Sequence, residues 1–335
     1  MYGPSSDPGK KTEFLMNSFN HTLCLLRTAL WKEEAEPVQL SLNEWEELYR
    51  TSLAQGVHTL VFDAFRPGCV PPQPLLANWL VQVESAEKDF ERKRLVQEEL
   101  CRLWTANGIK FSVMKGLSVA AMYPHPSHRL SGDIDFYFPD PESWEKAEKM
   151  AKEIADIAVD SDGDIHYLWR NVIIEHHKRW SHLSQNVEEG EVDTLLMLSG
   201  HILRHSMIGG AGLRQLTDLA VATRSLYGNY NKETFACRML ELGLGKWWGL
   251  LSAVMDSAFG IPEEELPLAP DPRYLEAYMD LIEKDGNLGK ENSRIMSGWW
   301  SRLRIFVRLC PEEYFARWCK LSLGRIRRIF SNRKK

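Results

Sequence analysis

The sequence predicts an α+β fold in which a small mixed β-sheet has helices before and after it along the chain. Apolar residues alternate with a period of two in four segments, near 110–114, 133–138, 165–169 and 172–177. Outside these segments, apolar residues recur at the spacing of a helix instead. Strands confined to one stretch between helical regions indicate one central sheet, flanking helices and a helical C-terminal half.

The region before the strands is predicted to be helical. Apolar residues at helical spacing run from Glu13 to about Trp31. Ser41 is followed three residues later by Glu44, and this capping-box pattern predicts that a second helix begins there. Residues 75–106 have the pattern of a long helix with one charged side. We therefore expect several helices to precede the sheet.

Helices are also expected between and after the strands. Asp140 is the predicted cap of a helix over 141–155. The acidic segment 160–164 lacks the flanking helices and the final glutamate of a calcium loop, so it is predicted to be a turn. Helical spacing resumes at 191–204, and the glycines at 209–212 are expected to join two helices.

The chain has 335 residues, which is longer than one average domain. Composition and periodicity change several times along it, and we place the predicted boundaries at those changes. The predicted regions are a disordered N-terminus at 1–12, an N-terminal helical region at 13–108, a central sheet-containing core at 109–185, a helical C-terminal domain at 190–320 and a basic tail at 321–335.

Composition excludes several classes of protein. Six cysteines are scattered without a CxxC pair, which argues against a zinc ribbon or a disulfide framework. No apolar run reaches the length of a membrane span and no signal core is evident, so we expect a cytoplasmic protein without a transmembrane segment.

The net charge of −5 does not by itself indicate a nucleic-acid partner, but the last fifteen residues hold six basic side chains and no acidic one. That tail would suit a weak contact with an anionic membrane surface or nucleic acid. The alternative is a solvated helix end whose charge complements the helix dipole.

Paired carboxylates mark the centre of the sequence. On a strand, Asp133 and Asp135 point to one face, while Ile134 and Phe136 point to the other. Two like charges at this spacing raise each other's pKa, and a cation between them removes the repulsion. Carboxylate oxygens suit Mg²⁺. Glu175, on a later predicted strand, is the candidate third carboxylate, provided that its strand lies beside the first.

A second feature lies just upstream. The short apolar strand at 111–114 ends at Lys115 and Gly116. Glycine permits a close backbone approach to a phosphate, and the lysine adds a positive charge.

Together these residues carry a resemblance. The order strand, Lys115-Gly116, short helix, Tyr-Pro, Arg129, Asp-Ile-Asp and Glu-x-His strand resembles the uncharacterised bacterial nucleotidyltransferase family of the DNA polymerase β-like superfamily, over roughly residues 80–320. The resemblance implies that 109–185 is a nucleotidyltransferase catalytic core. Many members have serine directly after the glycine, where this sequence has Leu117, and Ser118 is the candidate replacement.

The resemblance also implies an activity. A member would use Mg²⁺ or Mn²⁺ to move a nucleoside monophosphate from ATP or another NTP to an unidentified acceptor by a two-metal mechanism. Asp133, Asp135 and Glu175 would hold the metal, while Lys115 and Arg129 would neutralise the phosphates. The alternative is a catalytically silent nucleotide- or partner-binding regulatory module with the same fold. We expect Asp133 and Asp135 to be surface carboxylates, so that asparagine at either position abolishes transfer without unfolding the protein.

Other polar residues are candidates for the surrounding cleft. His177 follows Glu175 by two residues and shares its face of the strand. His201 and His205 lie four apart on a predicted helix, but a metal site needs a third ligand, so they form either a polar strip on a buried helix or, by the resemblance, part of the cleft. Arg214 and Asp218 belong to a second stretch that resembles the family, and their spacing would let them pair on a helix.

Overall fold

A computed structural model describes residues 17–32, 39–160, 162–185, 191–208, 210–286 and 299–316. The predicted disordered N-terminus at 1–12 and the predicted basic tail at 321–335 lie outside the described residues.

The α+β class is confirmed, with helices before and after one mixed sheet and a helical C-terminal half. The α-helices are α1 (Ser18–Trp31), α2 (Leu42–Ala54), α3 (His58–Phe62), α4 (Gln73–Ala106), α5 (Leu117–Ala120), α6 (Pro141–Ile154), α7 (Glu191–Ile208), α8 (Leu213–Leu226), α9 (Lys232–Glu241), α10 (Gly245–Phe259), α11 (Leu275–Asp285) and α12 (Trp299–Leu309). The strands are β1 (Ser112–Val113), β2 (Ile134–Tyr137), β3 (Ala158–Val159), β4 (Ile165–Trp169) and β5 (Val172–His177).

The five strands lie in the order β1-β2-β5-β4-β3. β2 and β5 are parallel, and the other neighbours are antiparallel. The four predicted strand segments are confirmed. β3 was not predicted, because it is only two residues long and both are exposed, so it has no alternating apolar pattern.

Local sequence signals explain several element boundaries. Ser41 and Glu44 form the predicted capping box at α2, with the Ser41 amide donating to Glu44 Oε2 at 2.7 Å. Asp140 caps α6 by accepting from the Ser143 amide at 2.8 Å. The turn between β4 and β5 places Arg170 and Asn171 at φ 49° and 60°. Two successive residues at positive φ suit the tight hairpin turn whose twist matches that of its strands.

Buried apolar side chains form two clusters. The larger lies among the helices, and the smaller covers one face of the sheet with α6 and the end of α4. Phe136 and Ile174 of the sheet belong to the smaller cluster, as does Trp104 of α4, whereas Trp79 near the start of α4 belongs to the larger. At 34 residues, α4 is long enough, about 50 Å, to contribute to both.

The segment between α5 and β2 is tied to the helices. Thr59 donates to the carbonyl of His128 at 2.5 Å, and Lys93 donates to the carbonyl of Ser131. Tyr123 donates to Asp218 of α8 at 2.7 Å. These bonds fix the backbone that leads into β2.

No helix in the described part of the chain is both long and apolar enough to cross a membrane. The cysteines that are described there are all free thiols.

Candidate functional site

The site begins where β2 and β5 run side by side. Their register pairs Asp135 with Glu175 and Tyr137 with His177. The predicted adjacency of these two strands is therefore confirmed. Because partners in a parallel pair point the same way, Asp135, Glu175 and His177 share the face of the sheet opposite its apolar cluster.

Asp135 is buried, with 1% of its surface exposed, so the expectation of a surface carboxylate is wrong for this residue. Its Oδ1 accepts from Lys115 Nζ at 3.0 Å and lies 2.8 Å from His177 Nε2. Burial raises the pKa of Asp135, but the charges and hydrogen bonds of Lys115 and His177 outweigh it and hold the pKa well below its usual range. Its Oδ2 is buried without a hydrogen-bond partner. A buried carboxylate oxygen without a partner is a candidate ligand atom for a cation.

His177 is held at both ring nitrogens. Nδ1 lies 2.9 Å from Asp164 Oδ2, and Nε2 lies 3.5 Å from Glu175 Oε2 in addition to its contact with Asp135. Burial lowers the pKa of His177, but hydrogen bonds to the three carboxylates outweigh burial and raise the pKa well above its usual value.

Asp164 was missed as a site residue. The sequence placed it only in an acidic turn, and Asp160 does close that turn by accepting from the amides of Asp162 and Asp164. The usable signal was the hairpin register. Ile165 pairs with His176, so the residue before β4 lies beside His177.

Glu175 is partly exposed and contacts His166 Nδ1 at 2.9 Å. Burial raises the pKa of Glu175, but its hydrogen bond to His177 contributes to a net lowering. His166, paired with Glu175 in the β4–β5 register, was also missed by sequence reasoning. The alternating pattern of β4 shows which face of the strand carries His166. Only the pairing of β4 with β5 shows that His166 meets the carboxylate of Glu175.

Asp133 precedes β2 and is partly buried. The repulsion of Asp135, followed by burial, raises the pKa of Asp133 to about 6, although Lys115 and Arg214 oppose this. Its carboxylate forms no ion pair with another described residue. Of the two aspartates, Asp135 is therefore paired with positive groups, whereas Asp133 has no direct counter-charge among the described residues.

Three of these side chains have the arrangement of a metal site. Ligand atoms of Asp135, Glu175 and His177 lie within 4.8 Å of one another. Two carboxylates suit a divalent cation, and the unpartnered Asp135 Oδ2 supplies a free ligand atom. Both ring nitrogens of His177 contact carboxylates, so His177 would join the ligands only after losing a proton, and Asp164 at its far nitrogen fixes the orientation of the ring. Asp133, expected in the ligand set, lies outside this group of three.

Lys115 and Gly116 lie beside Asp133 and Asp135. Gly116 has φ +66°, and a Cβ there would lie 3.3 Å from the Asp133 carbonyl oxygen, so a side chain would be both strained and crowded. The hydroxyl of Ser118 donates to the Lys115 carbonyl at 3.1 Å and is therefore engaged with its own backbone.

Arg129 is buried in a two-point ion pair with Asp218. Its Nε and Nη2 donate to the two carboxylate oxygens at 2.8 and 2.7 Å, and Nη1 donates to Ser131 at 2.8 Å. The expected pairing of Arg214 with Asp218 is therefore wrong, because Asp218 pairs with Arg129 from the segment before β2.

Arg214 lies one helical turn before Asp218 on α8. Its Nε is buried without a hydrogen-bond partner, and its guanidinium forms no ion pair with another described residue. Burial lowers the pKa of Arg214, as does Arg129, while Asp218 and Asp133 oppose them.

Four imidazoles lie in a row from the sheet into α7. Ring centroids are 5.8 Å apart for His177 and His182, 5.7 Å for His182 and His201, and 4.5 Å for His201 and His205. No third ligand joins His201 and His205 in a metal-binding group among the described residues. His182 was missed, because the irregular segment after β5 carries no sequence pattern that fixes its position. Arg204 Nη1 donates to His182 Nδ1 at 3.0 Å.

Comparison with known protein families identifies a match over most of the chain. Residues 41–260 match the model of a family described as an uncharacterised nucleotidyltransferase. This range contains β1 to β5, α8 and every residue of the site described above. No curated protein matches the chain, and no solved structure does.

Proposed function

Because this chain belongs to the uncharacterised nucleotidyltransferase family, we propose that it moves a nucleoside monophosphate from an NTP to an acceptor with the help of Mg²⁺ or Mn²⁺. The observation that carries this proposal is the parallel pairing that sets Asp135 beside Glu175 with one buried carboxylate oxygen unpartnered. In the reaction, an acceptor oxygen forms a bond to the α-phosphorus. The bond from that phosphorus to the bridging oxygen of the β-phosphate breaks, and pyrophosphate leaves.

Asp133, Asp135 and Glu175 would hold the cations, with His177 at the edge of the ligand set. When bound, the cations would neutralise charge on the triphosphate and lower the pKa of the acceptor group. Lys115 and His177 both engage Asp135 Oδ1, so Oδ2 is the oxygen that would bind a cation.

The two sides of the site would have different tasks. Asp133 lies against Gly116, where backbone can approach closely, and this supports placing the NTP phosphates on that side. Lys115 adds a positive charge there. Glu175 lies on the other strand and is partly exposed, which supports placing the acceptor on that side.

Two predicted phosphate contacts would need rearrangement. Ser118 can reach a phosphate only if its hydroxyl leaves the carbonyl of Lys115. Arg129 has a buried partner in Asp218, so we propose that it acts by positioning the segment before Asp133 rather than by binding phosphate directly.

A direct test is incubation of the protein with each α-phosphate-labelled NTP, Mg²⁺ or Mn²⁺ and a cell extract. Label transferred to a product by the natural chain, and lost in Asp133→Asn, is the expected result. Glu145→Gln is the matched control, because Glu145 is an exposed acidic residue on α6, away from the sheet face of the site. NTP binding without any labelled product in any extract would favour the silent regulatory module.

A further inference from the structure

Two charges of the site have no direct partner among the described residues, and they carry opposite signs. Asp135 is balanced by Lys115 and His177, and Arg129 is balanced by Asp218. Asp133 and the guanidinium of Arg214 are therefore the two charged groups without a direct partner among the described residues.

Arg214 lies one helical turn before Asp218, on the face of α8 that meets Arg129 and Tyr123 from the segment leading to Asp133. Arg214 is among the groups that lower the pKa of Asp133, and Asp133 is among those that raise the pKa of Arg214. Nevertheless, no ion pair within 4.0 Å joins them in the described part of the chain. The guanidinium of Arg214 therefore keeps a buried donor that no described carboxylate accepts from, and such a donor can bind a phosphate.

Hydrogen bonds at the start of α8 hold the backbone of Arg214 in place. α8 presents Arg214 and Asp218 one turn apart on the same face, and Asp218 is anchored to Arg129 and Tyr123. The Arg214 amide donates to the Gln55 carbonyl at 3.3 Å. The neighbouring Leu213 amide donates to Gln55 Oε1 at 2.9 Å. Because Gln55 already satisfies these amides, the first turn of α8 offers a ligand the side chain of Arg214 rather than its backbone.

The surroundings of Arg214 are also short of negative charge on the side facing α7. The pKa of His201 is lowered first by burial and then by Lys115, His205, His182 and Arg214, all of them basic groups. His201 Nδ1 is itself buried without a partner. Arg214 Nε is a donor without a partner, and His201 Nδ1 can donate in one of its two neutral tautomers, so both nitrogens can serve an anion.

We propose that Arg214 binds the β- or γ-phosphate of the NTP, whose cation Asp133 would help to hold. This inference rests on the proposed function and deepens it, since it assigns a phosphate ligand on α8. It replaces Arg129, whose donors are engaged by Asp218 and Ser131, as the arginine that contacts the triphosphate. A guanidinium is suited to this task, because its planar donors match two phosphate oxygens at once.

The test compares Arg214→Gln with Arg224→Gln by calorimetric titration with inorganic tripolyphosphate and with an NTP, both in the presence of Mg²⁺. Arg224 is a matched control on the last turn of α8, where it pairs with Glu265. We expect Arg214→Gln to weaken both ligands by a similar factor, on the order of tenfold to a hundredfold. The control should bind both as the natural chain does. Arg214→Lys, which keeps the charge but not the paired donors, should fall in between.

The alternative outcomes are distinct. Unchanged tripolyphosphate and NTP affinity in a folded Arg214→Gln would overturn the inference and leave the proposed function intact. If Arg214→Gln does not fold, the test relies on Arg214→Lys. An affinity of Arg214→Lys for tripolyphosphate and the NTP equal to that of the natural chain would then overturn the inference. A natural chain that binds neither ligand would refute both the inference and the proposed function.

Discussion

Asparagine at Asp133 and at Asp135 should have opposite effects on the stability of the metal-free protein, although either change should abolish transfer. Asp135→Asn leaves the buried Lys115 and His177 without their shared counter-charge. Breaking a buried ion pair from one side typically costs about 3 to 5 kcal/mol of unfolding free energy. The change therefore should destabilise the fold strongly, which reverses the expectation drawn from the sequence.

Asp133→Asn should act the other way. The ionised Asp133 is repelled by Asp135, and its pKa is raised to about 6. Since a raised carboxylate pKa means that the charged form opposes folding, removing the charge should stabilise the protein by about 1 to 3 kcal/mol at pH 7.5. The natural chain has its full stability from this group below about pH 4 and loses it as the pH rises through about 6. The advantage of Asp133→Asn should therefore shrink toward pH 4.

Urea unfolding in EDTA, followed by tryptophan fluorescence, measures both effects. The two midpoints should lie roughly 1 to 3 M urea apart at pH 7.5, on opposite sides of the natural chain. Lys115→Met combined with Asp135→Asn should recover part of the loss, because the double change removes an unpaired buried charge. Equal midpoints for the two asparagine variants would refute the role of Asp135 as the shared counter-charge of Lys115 and His177.

Three further changes test other parts of the structure. Glu175→Gln should lower turnover at least a hundredfold while NTP affinity changes little, measured by steady-state kinetics beside calorimetry; loss of both would mean that Glu175 holds the nucleotide's own metal. Asp164→Asn should weaken Mn²⁺ binding about tenfold to a hundredfold, because His177 loses the partner that orients it, and an unchanged Mn²⁺ titration would contradict that role. The hydrogen bond from Asp63 is the main reason that the pKa of His128 is raised, so protonated His128 stabilises the fold below about pH 6.5 and this contribution is lost as the pH rises through the raised pKa. His128→Gln should therefore cost more stability at pH 6 than at pH 8.5, and an equal cost in urea unfolding at both values would rule this out.

The sequence was sufficient to predict the sheet and the strand faces. Period-two patterns marked β2, β4 and β5, and the need for a third carboxylate near Asp135 predicted that β5 lies beside β2, as the register confirms. These features depend on the local alternation of apolar residues and on the pairing of β2 with β5, and both can be recognised from the residue types. The roles given to the carboxylates remain proposals.

The environment of each carboxylate was not predictable in the same way. Asp133 and Asp135 occupy equivalent positions in the alternating pattern of the strand. Asp133 is nevertheless partly exposed, whereas Asp135 is buried against Lys115 and His177. That difference arises because β2 is a central strand with β1 on one side and β5 on the other, while Asp133 precedes the paired segment. Burial of this kind depends on neighbours that are distant in sequence, such as His177 and Asp164.

The arginines of the site show why pairing by sequence distance fails. Arg214 and Asp218 are four apart on α8, and that spacing allows an ion pair on an isolated helix. In the folded chain Asp218 instead accepts from Arg129, eighty-nine residues away in sequence, and from Tyr123. The longer-range pair is buried and has two-point geometry, whereas a helix-surface pair contributes only about 0.2–0.5 kcal/mol. Asp218 is therefore not the partner of Arg214, whose buried Nε has none, and this is the premise of the phosphate contact that we propose for Arg214.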